Sequence, residues 1–262
     1  MTLPVFLGDD LTPAPSSLSV GERAALSGSE GRHAASVRRI GAGEWVDVVD
    51  GAGLRLTCEV AGADKSSLSL VVREVLQEER PVPEIVLVQA LAKGGRDEQA
   101  VETATEVGAE LVLPWQAERC VSVWQGAKQA KGRQRWQATA LQAAKQARRA
   151  RVPEVEEVRD TRRLADWVGQ TVRGGGVVLV LHEEASSPIS TAMESVRLPT
   201  PEQAPRALAV VVGPEGGISP EETAALEAAG ATTVRLGPHV MRTASAGPVA
   251  LAVLAHASGL WE

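Results

Sequence analysis

A chain of 262 residues with 44% hydrophobic and 23% charged side chains is long enough to bury two ordinary cores, and its composition excludes a disordered protein. Six Trp, one Phe and no Tyr leave few rings for base stacking, which disfavours a dedicated single-strand binder of that type and leaves Ala, Val and Leu to fill the core. The net charge of −6 argues against a nucleic-acid partner only until the chain is divided, because residues 1–80 carry −4, 81–151 carry +4 and 152–262 carry −6.

In chain order, the first ~75 residues read as mostly β with one helix. Ser29–Ile40 reads as a short helix or an extended segment and carries Arg32, His33, Arg38 and Arg39. Trp45–Val49, Leu54–Val60 and Leu68–Val75 read as strands, separated by the DGAG and GADKSS turns. Short strands with tight turns in so small a unit suggest a barrel or sandwich. The charged, proline-bearing stretch Gln77–Pro83 reads as a linker, which divides the chain into residues 1–76 and 84–262.

Beyond the linker the pattern changes. Ile85–Ala90 (IVLVQA) is a continuous apolar run, as expected of a strand buried on both faces. A helix over Asp97–Val107 ending at Gly108, a strand at Leu111–Pro114 and a long alanine-rich helix over Gln125–Ala150, stopped by Pro153, follow. Val177–Leu181, Ala207–Val212 and Thr233–Leu236 supply further strands, and Pro248–His256 a terminal helix. Alternating buried strands and helices predict an α/β domain with a mainly parallel sheet. The terminal helix is apolar nearly all round and must be buried, in the domain core or in a dimer interface, with His256 a core or interface histidine.

Two loops carry the chemical signal. In ALAVVV-GPEGGIS-PEE a buried strand runs into a glycine turn at Gly213–Ser219. A helix then begins with Ser219 as N-cap, Pro220 at its first position and Glu222 closing a capping box. Glycines at the carboxyl end of a strand allow close approach of a ligand, but an unliganded turn fits the pattern equally. The loop is neither GxGxxG nor Walker A, so a dinucleotide or nucleoside triphosphate is not indicated. The second loop, Leu236–Pro248 (LGPHVMRTASAGP), holds one charged side chain, Arg242, readable as a surface residue or as an anion-stabilising group.

The four histidines, His33, His182, His239 and His256, are scattered without HExxH or a Cys partner, so no metal is expected. Cys58 and Cys120 form no CxxC and suit a reducing compartment. Asp9 and Asp10 stand where a signal peptide would be apolar, and no apolar run reaches the ~18 residues of a membrane span; a soluble, cytoplasmic protein is expected.

The pairing of GPEGGIS-PE with the later LGPHVMRT resembles the RsmE family, the small-subunit (16S) rRNA uracil-N3 methyltransferases of the SPOUT superfamily. Upstream, Arg32–Gly51, Lys93, Glu102–Gly108, Glu118-Arg119-Cys120 and the Trp136…Gln142…Gln146…Arg149…Val152-Pro153-Glu154 run resemble the same family. The resemblance implies a small PUA-like β-barrel that binds RNA over 1–76, then a SPOUT-type α/β domain over 84–262 with a C-terminal trefoil knot, a feature nearly absent from other folds. It also implies a homodimer and S-adenosylmethionine as cofactor. Carried onto this chain, the cofactor site comprises Leu181, His182, Glu183, Gly213, Glu215, Gly217, Leu236, Gly237, Val240, Met241, Thr243 and Ser245, with Arg242 catalytic. Glu215 is a second candidate for orienting the donor or the base.

One departure stands out. The family's R-T-E-T is here Arg242-Thr243-Ala244-Ser245, so no acid at 244 can serve as general base. From Arg119 to Arg151 there are nine Lys or Arg and no Asp or Glu; together with Arg32, Arg38 and Arg39 this predicts an rRNA phosphate surface that includes Lys145, Arg148 and Arg149, against the plain alternative of a solvated helix face. Two competing readings stay open: an RNA-binding protein with impaired catalysis, and a SPOUT methyltransferase acting on another RNA such as tRNA.

Overall fold

The computed structural model describes residues 3–196 and 206–261 and divides into two compact units, one of residues 1–80 with 144–152, the other of 81–143 with 153–262. The chain passes from the first unit to the second at Arg80–Pro81, inside the expected linker 77–83, but the first unit is not contiguous in sequence. Gln77 is still in a strand, and a nine-residue segment from the middle of the chain completes the unit.

In the first unit β1 (Val5–Leu7), β2 (Leu11–Thr12), β3 (Arg23–Leu26), β4 (Trp45–Val49), β5 (Leu54–Ala63) and β6 (Leu68–Gln77) form one sheet in the order β1-β4-β5-β6-β3-β2, antiparallel except for β1 on β4. Its turns follow from side-chain chemistry. Asp64 Oδ1 accepts from the Ser66 and Ser67 backbone N–H groups (2.8 and 2.9 Å), and Asp50 Oδ1 from those of Ala52 and Leu54 (2.7 and 3.0 Å), which reverses the chain after β5 and after β4. Phe6 and Leu11 on the two edge strands share one core with Leu56, Cys58 and Leu70 of the central ones, so the sheet curls around that core. The segment left open as helix or strand is α1 (Gly28–Arg32), continued by a π-helical turn over His33–Val37.

The second unit runs β7 (Glu84–Ala90), α2 (Arg96–Val107), β8 (Leu111–Gln116), α3 (Ala127–Gln146), β9 (Glu154–Val155), β10 (Arg159–Asp160), α4 (Thr161–Arg173), β11 (Val177–Leu181), α5 (Ile189–Val196), β12 (Ala207–Val212), α6 (Pro220–Ala228), β13 (Thr232–Val234) and α7 (Thr243–Ala257). Its sheet is parallel, ordered β10-β8-β7-β12-β11-β13, with β9 also on β8. Alternate residues serve opposite faces. Leu208, Val210 and Val212 of β12 join the core under α2, α3 and α7, while Ala209 and Val211 join the one under α4 and α6. Apolar runs on both sides of each strand explain why β7, β11 and β12 read as continuous hydrophobic stretches.

Three helix expectations change. α3 stops at Gln146, not Ala150, because Arg148 takes a left-handed φ of 59° and the chain leaves to pair with the first unit's β4–β5 turn, through Gly53 N–H to Ala150 O (3.2 Å) and Val152 N–H to Gly51 O (2.9 Å). α7 begins at Thr243, five residues before Pro248, which sits inside the helix rather than at its start. Its inner face buries Leu251 and Leu254 against α2, β7 and β12, so the domain core covers much of it, whereas His256 is exposed on the last turn and not a core residue.

Candidate functional site

β12, β11 and β13 lie side by side and end in three loops on one edge of the sheet, where open α/β sheets bind ligands. Those loops, 181–184, 212–220 and 235–246, line a cleft of about 670 Å³, within the ~300–1,000 Å³ of small-molecule sites. Every predicted cofactor-site residue lines it except Ser245, and so does Arg242. Ser245 falls outside because α7 already starts at Thr243: in a 3.6-residue period Thr243 and Ala246 face the cleft while Ser245 turns outward and is exposed.

The glycine loop is held from both ends. At its exit the expected capping box forms, with Ser219 Oγ accepting from the Glu222 N–H (3.3 Å) and Glu222 Oε2 accepting from the Ser219 N–H (3.2 Å). Glu222, only 5% exposed, also accepts from the Glu118 N–H (2.9 Å) and the Thr161 hydroxyl (2.6 Å), which ties the turn carrying Arg119 to the loop. At its entry Thr243 Oγ1 donates to Gly213 O (2.9 Å), linking the first loop to the start of α7. Between these anchors Gly217 takes a φ of +75°, and a Cβ on Gly213 would sit 2.6 Å from the Ile218 side chain.

Glu215, in the middle of the loop, accepts from Arg96 (3.1 Å) and the Lys93 N–H (3.3 Å). Partial burial works to raise its carboxyl, but its own backbone N–H, that of Lys93 and the Arg96 guanidinium outweigh it and hold the group below the ordinary glutamate range. A carboxylate so committed is a poor proton acceptor. Arg119 donates to Gly216 O (3.3 Å) from the other side. Arg242, the N-cap of α7, is exposed in the cleft and makes no ion pair or side-chain hydrogen bond among the described residues, so its guanidinium is free for a ligand. Ala244 is buried and does not line the cleft.

Sequence reasoning did not single out Arg96 or Gln89. Arg96 reaches the cleft through a contact with a residue 119 positions away, which no local pattern encodes. Gln89 is fully buried at the end of β7, and its signal was present: one amide inside IVLVQA.

The long basic run does not form one free surface. Arg119 works at the cleft, Arg133 donates to Val155 O (2.7 Å), Arg135 pairs with Glu98 (2.7 Å), Lys145 pairs with Glu30 (2.6 Å) and Arg151 donates to Ala52 O (2.5 Å). Arg149 also has a partner, whereas Arg32, Arg38, Arg39 and Arg148 are exposed. Among the described residues no group of three His, Cys, Asp or Glu is placed to hold a metal, and no helix is long and apolar enough to cross a membrane.

Residues 78–255 match the family described as RNA methyltransferase domain, and residues 26–73 match the RNA methyltransferase PUA domain. Over 242 residues the chain is 44% identical to a ribosomal RNA small subunit methyltransferase E of Mycobacterium bovis, covering 92% of this chain and 89% of that protein. The chain belongs to the ribosomal RNA small subunit methyltransferase E family. A Bacillus subtilis member is 29% identical over 237 residues, 90% of each chain. A Legionella pneumophila methyltransferase, solved with S-adenosylmethionine bound, superimposes with a TM-score of 0.78 at 26% identity over 98% of both chains. A Neisseria gonorrhoeae member of the family gives 0.79 at 24% identity over 97% of this chain and 98% of its own, which supports the same fold.

Proposed function

We propose that this chain transfers a methyl group from S-adenosylmethionine to N3 of a uridine in the 16S RNA of the small ribosomal subunit, in the cytoplasm. The observation that carries the reading is the three-loop cleft with a free arginine, in a chain 44% identical to a ribosomal RNA small subunit methyltransferase E. The cleft fits the cofactor. Gly213, Gly217 and Gly237 let backbone approach a ligand closely, and the carboxylates of Glu183 and Glu215 suit a cationic sulfonium.

S-adenosylmethionine supplies a methyl group already activated by positive charge, so the protein's task is to position the reactants. The harder half is the acceptor, because a uracil imide must lose its proton and spread charge onto its carbonyl oxygens. Arg242, unpaired and in the cleft, stabilises that charge. Glu215 holds Arg96 and the Lys93 backbone and thereby shapes the loop, in place of accepting the proton. Because position 244 does not face the cleft, alanine there leaves the chemistry of the cleft unchanged, which favours an active enzyme over an impaired RNA binder.

Exposed Arg32, Arg38, Arg39 and Arg148 contact RNA phosphates in this reading, while Lys145 is paired with Glu30. The active form is a homodimer with a knotted second domain, as the family resemblance implies. The deciding experiment is mass spectrometry of nucleosides after deletion of the gene. Loss of 3-methyluridine from small-subunit rRNA is expected, and an unchanged profile refutes the assignment. Loss of a modified nucleoside from tRNA alone redirects it.

A further inference from the structure

Strand β7 is buried from Ile85 to Ala90, yet Gln89 stands in it with no exposed surface. In register it lies opposite Val212, the last residue before the glycine loop. Its Nε2 donates to Ala90 O (3.0 Å) and to Thr243 Oγ1 (2.9 Å), while its Oε1 finds no partner among the described residues. A buried amide with half its capacity unmet costs free energy that leucine at the same place would avoid, so packing alone does not account for it.

What the amide accomplishes is directional. A threonine hydroxyl has one proton, and an N–H aimed at its oxygen forces that proton elsewhere. Here it goes to Gly213 O, 2.9 Å away. One hydroxyl thus joins three elements: the end of β7, the entrance of the 213–219 loop and the first turn of α7. The residue immediately before Thr243 is Arg242, held in extended conformation as the N-cap of α7.

We propose that Gln89 and Thr243 are positioning residues that set the separation between the donor loop and Arg242; the catalytic consequence rests on the methyl-transfer reading above, whereas the brace itself does not. With both bonds in place the two loops move as one body. Without them each keeps its own anchor, but their mutual register is lost, and misplacement of about 1 Å at a reacting centre costs up to ~10²-fold in rate.

The test uses the full chain with Gln89→Leu, Thr243→Val, Thr243→Ser and the Gln89→Leu/Thr243→Val pair. In the unliganded protein, hydrogen exchange of amides 215–217 and 244–247 should accelerate together in Gln89→Leu and Thr243→Val, with Tm held or raised in the former. At saturating donor and RNA, kcat should fall at least ~10-fold in each, with the pair no worse than its poorer member. Thr243→Ser keeps the hydroxyl and should restore most of the protection and rate. Unchanged exchange at either loop in Thr243→Val overturns the brace, as does a serine variant no better than valine; if Gln89→Leu fails to fold, that valine–serine comparison decides alone. Accelerated exchange with kcat within twofold of wild type overturns the positioning role. Wild-type protein with no activity on small-subunit RNA counts against the methyl-transfer reading and leaves the exchange result standing.

Discussion

Replacing Glu222 with alanine tests whether the cleft is built from its second wall inward. The side chain accepts from the Glu118 N–H at 2.9 Å, the Thr161 hydroxyl at 2.6 Å and the Ser219 N–H at 3.2 Å, and it is 5% exposed. Two of those donors are backbone groups that cannot turn to a new partner, and each left unsatisfied costs about 1–2 kcal/mol; the hydroxyl can rotate and loses about 0.5–1. Removing a buried carboxylate also removes its own desolvation cost, so the lower half of the sum applies, about 3 kcal/mol. For a domain of this size that lowers Tm by roughly 6–12 °C. Differential scanning calorimetry of Glu222→Ala beside Glu221→Ala reads the effect. The neighbouring Glu221 is exposed in the same helical turn, and its loss should change stability by only about 0.5 kcal/mol. A Glu222→Ala melt within about 3 °C of wild type would refute the reasoning, because it would mean that water replaces all three contacts.

Other expectations follow from the same geometry. Arg242→Ala should lower kcat by ~10²-fold while donor affinity measured by calorimetry stays within about twofold; wild-type turnover with intact donor binding ends its catalytic assignment. Burial pushes the Cys58 thiol up to about 12, aided by Asp47, and the Cys120 thiol up to about 11. Neither should react with iodoacetamide in folded protein at pH 8, and both should in denaturant; rapid labelling of the native chain would contradict the burial. Arg38→Ala/Arg39→Ala should weaken RNA binding and reduce the slope of log K against log salt by about 1–2, and an unchanged slope removes those residues from the RNA surface.

Much of this molecule was legible in order. The buried strands showed as apolar runs because both faces of a parallel sheet are covered, and the α6 start showed because Ser219, Pro220 and Glu222 act within one turn. Less legible were features decided at a distance. β1 and β2 are too short to carry a period and exist through pairing with β4 and β3. Pro248 looked like a first helical residue, but the helix begins at Thr243, where the side chain of Gln89 waits 154 positions away. That same shift of register moved Ser245 off the cleft. The basic run was visible as charge, yet its ion pairs with Glu98 and Glu30 depend on contacts that the sequence does not order.

The segment 144–152 has a consequence for how the protein is made. The first unit takes from it the Ala150 and Gly51–Val152 backbone bonds, the Arg148 carbonyl that receives Arg55, and Lys145 for Glu30. A ribosome that has released residue 80 has therefore not yet released the whole unit. At ~5–20 residues per second the nascent sheet waits roughly 4–14 s for its closing piece, while the first strands of the next unit are already emerging. The two units are consequently interleaved in time as well as in sequence. A fragment cut at residue 80 would carry the sheet without its clasp, so the first unit cannot be transplanted as a contiguous cassette.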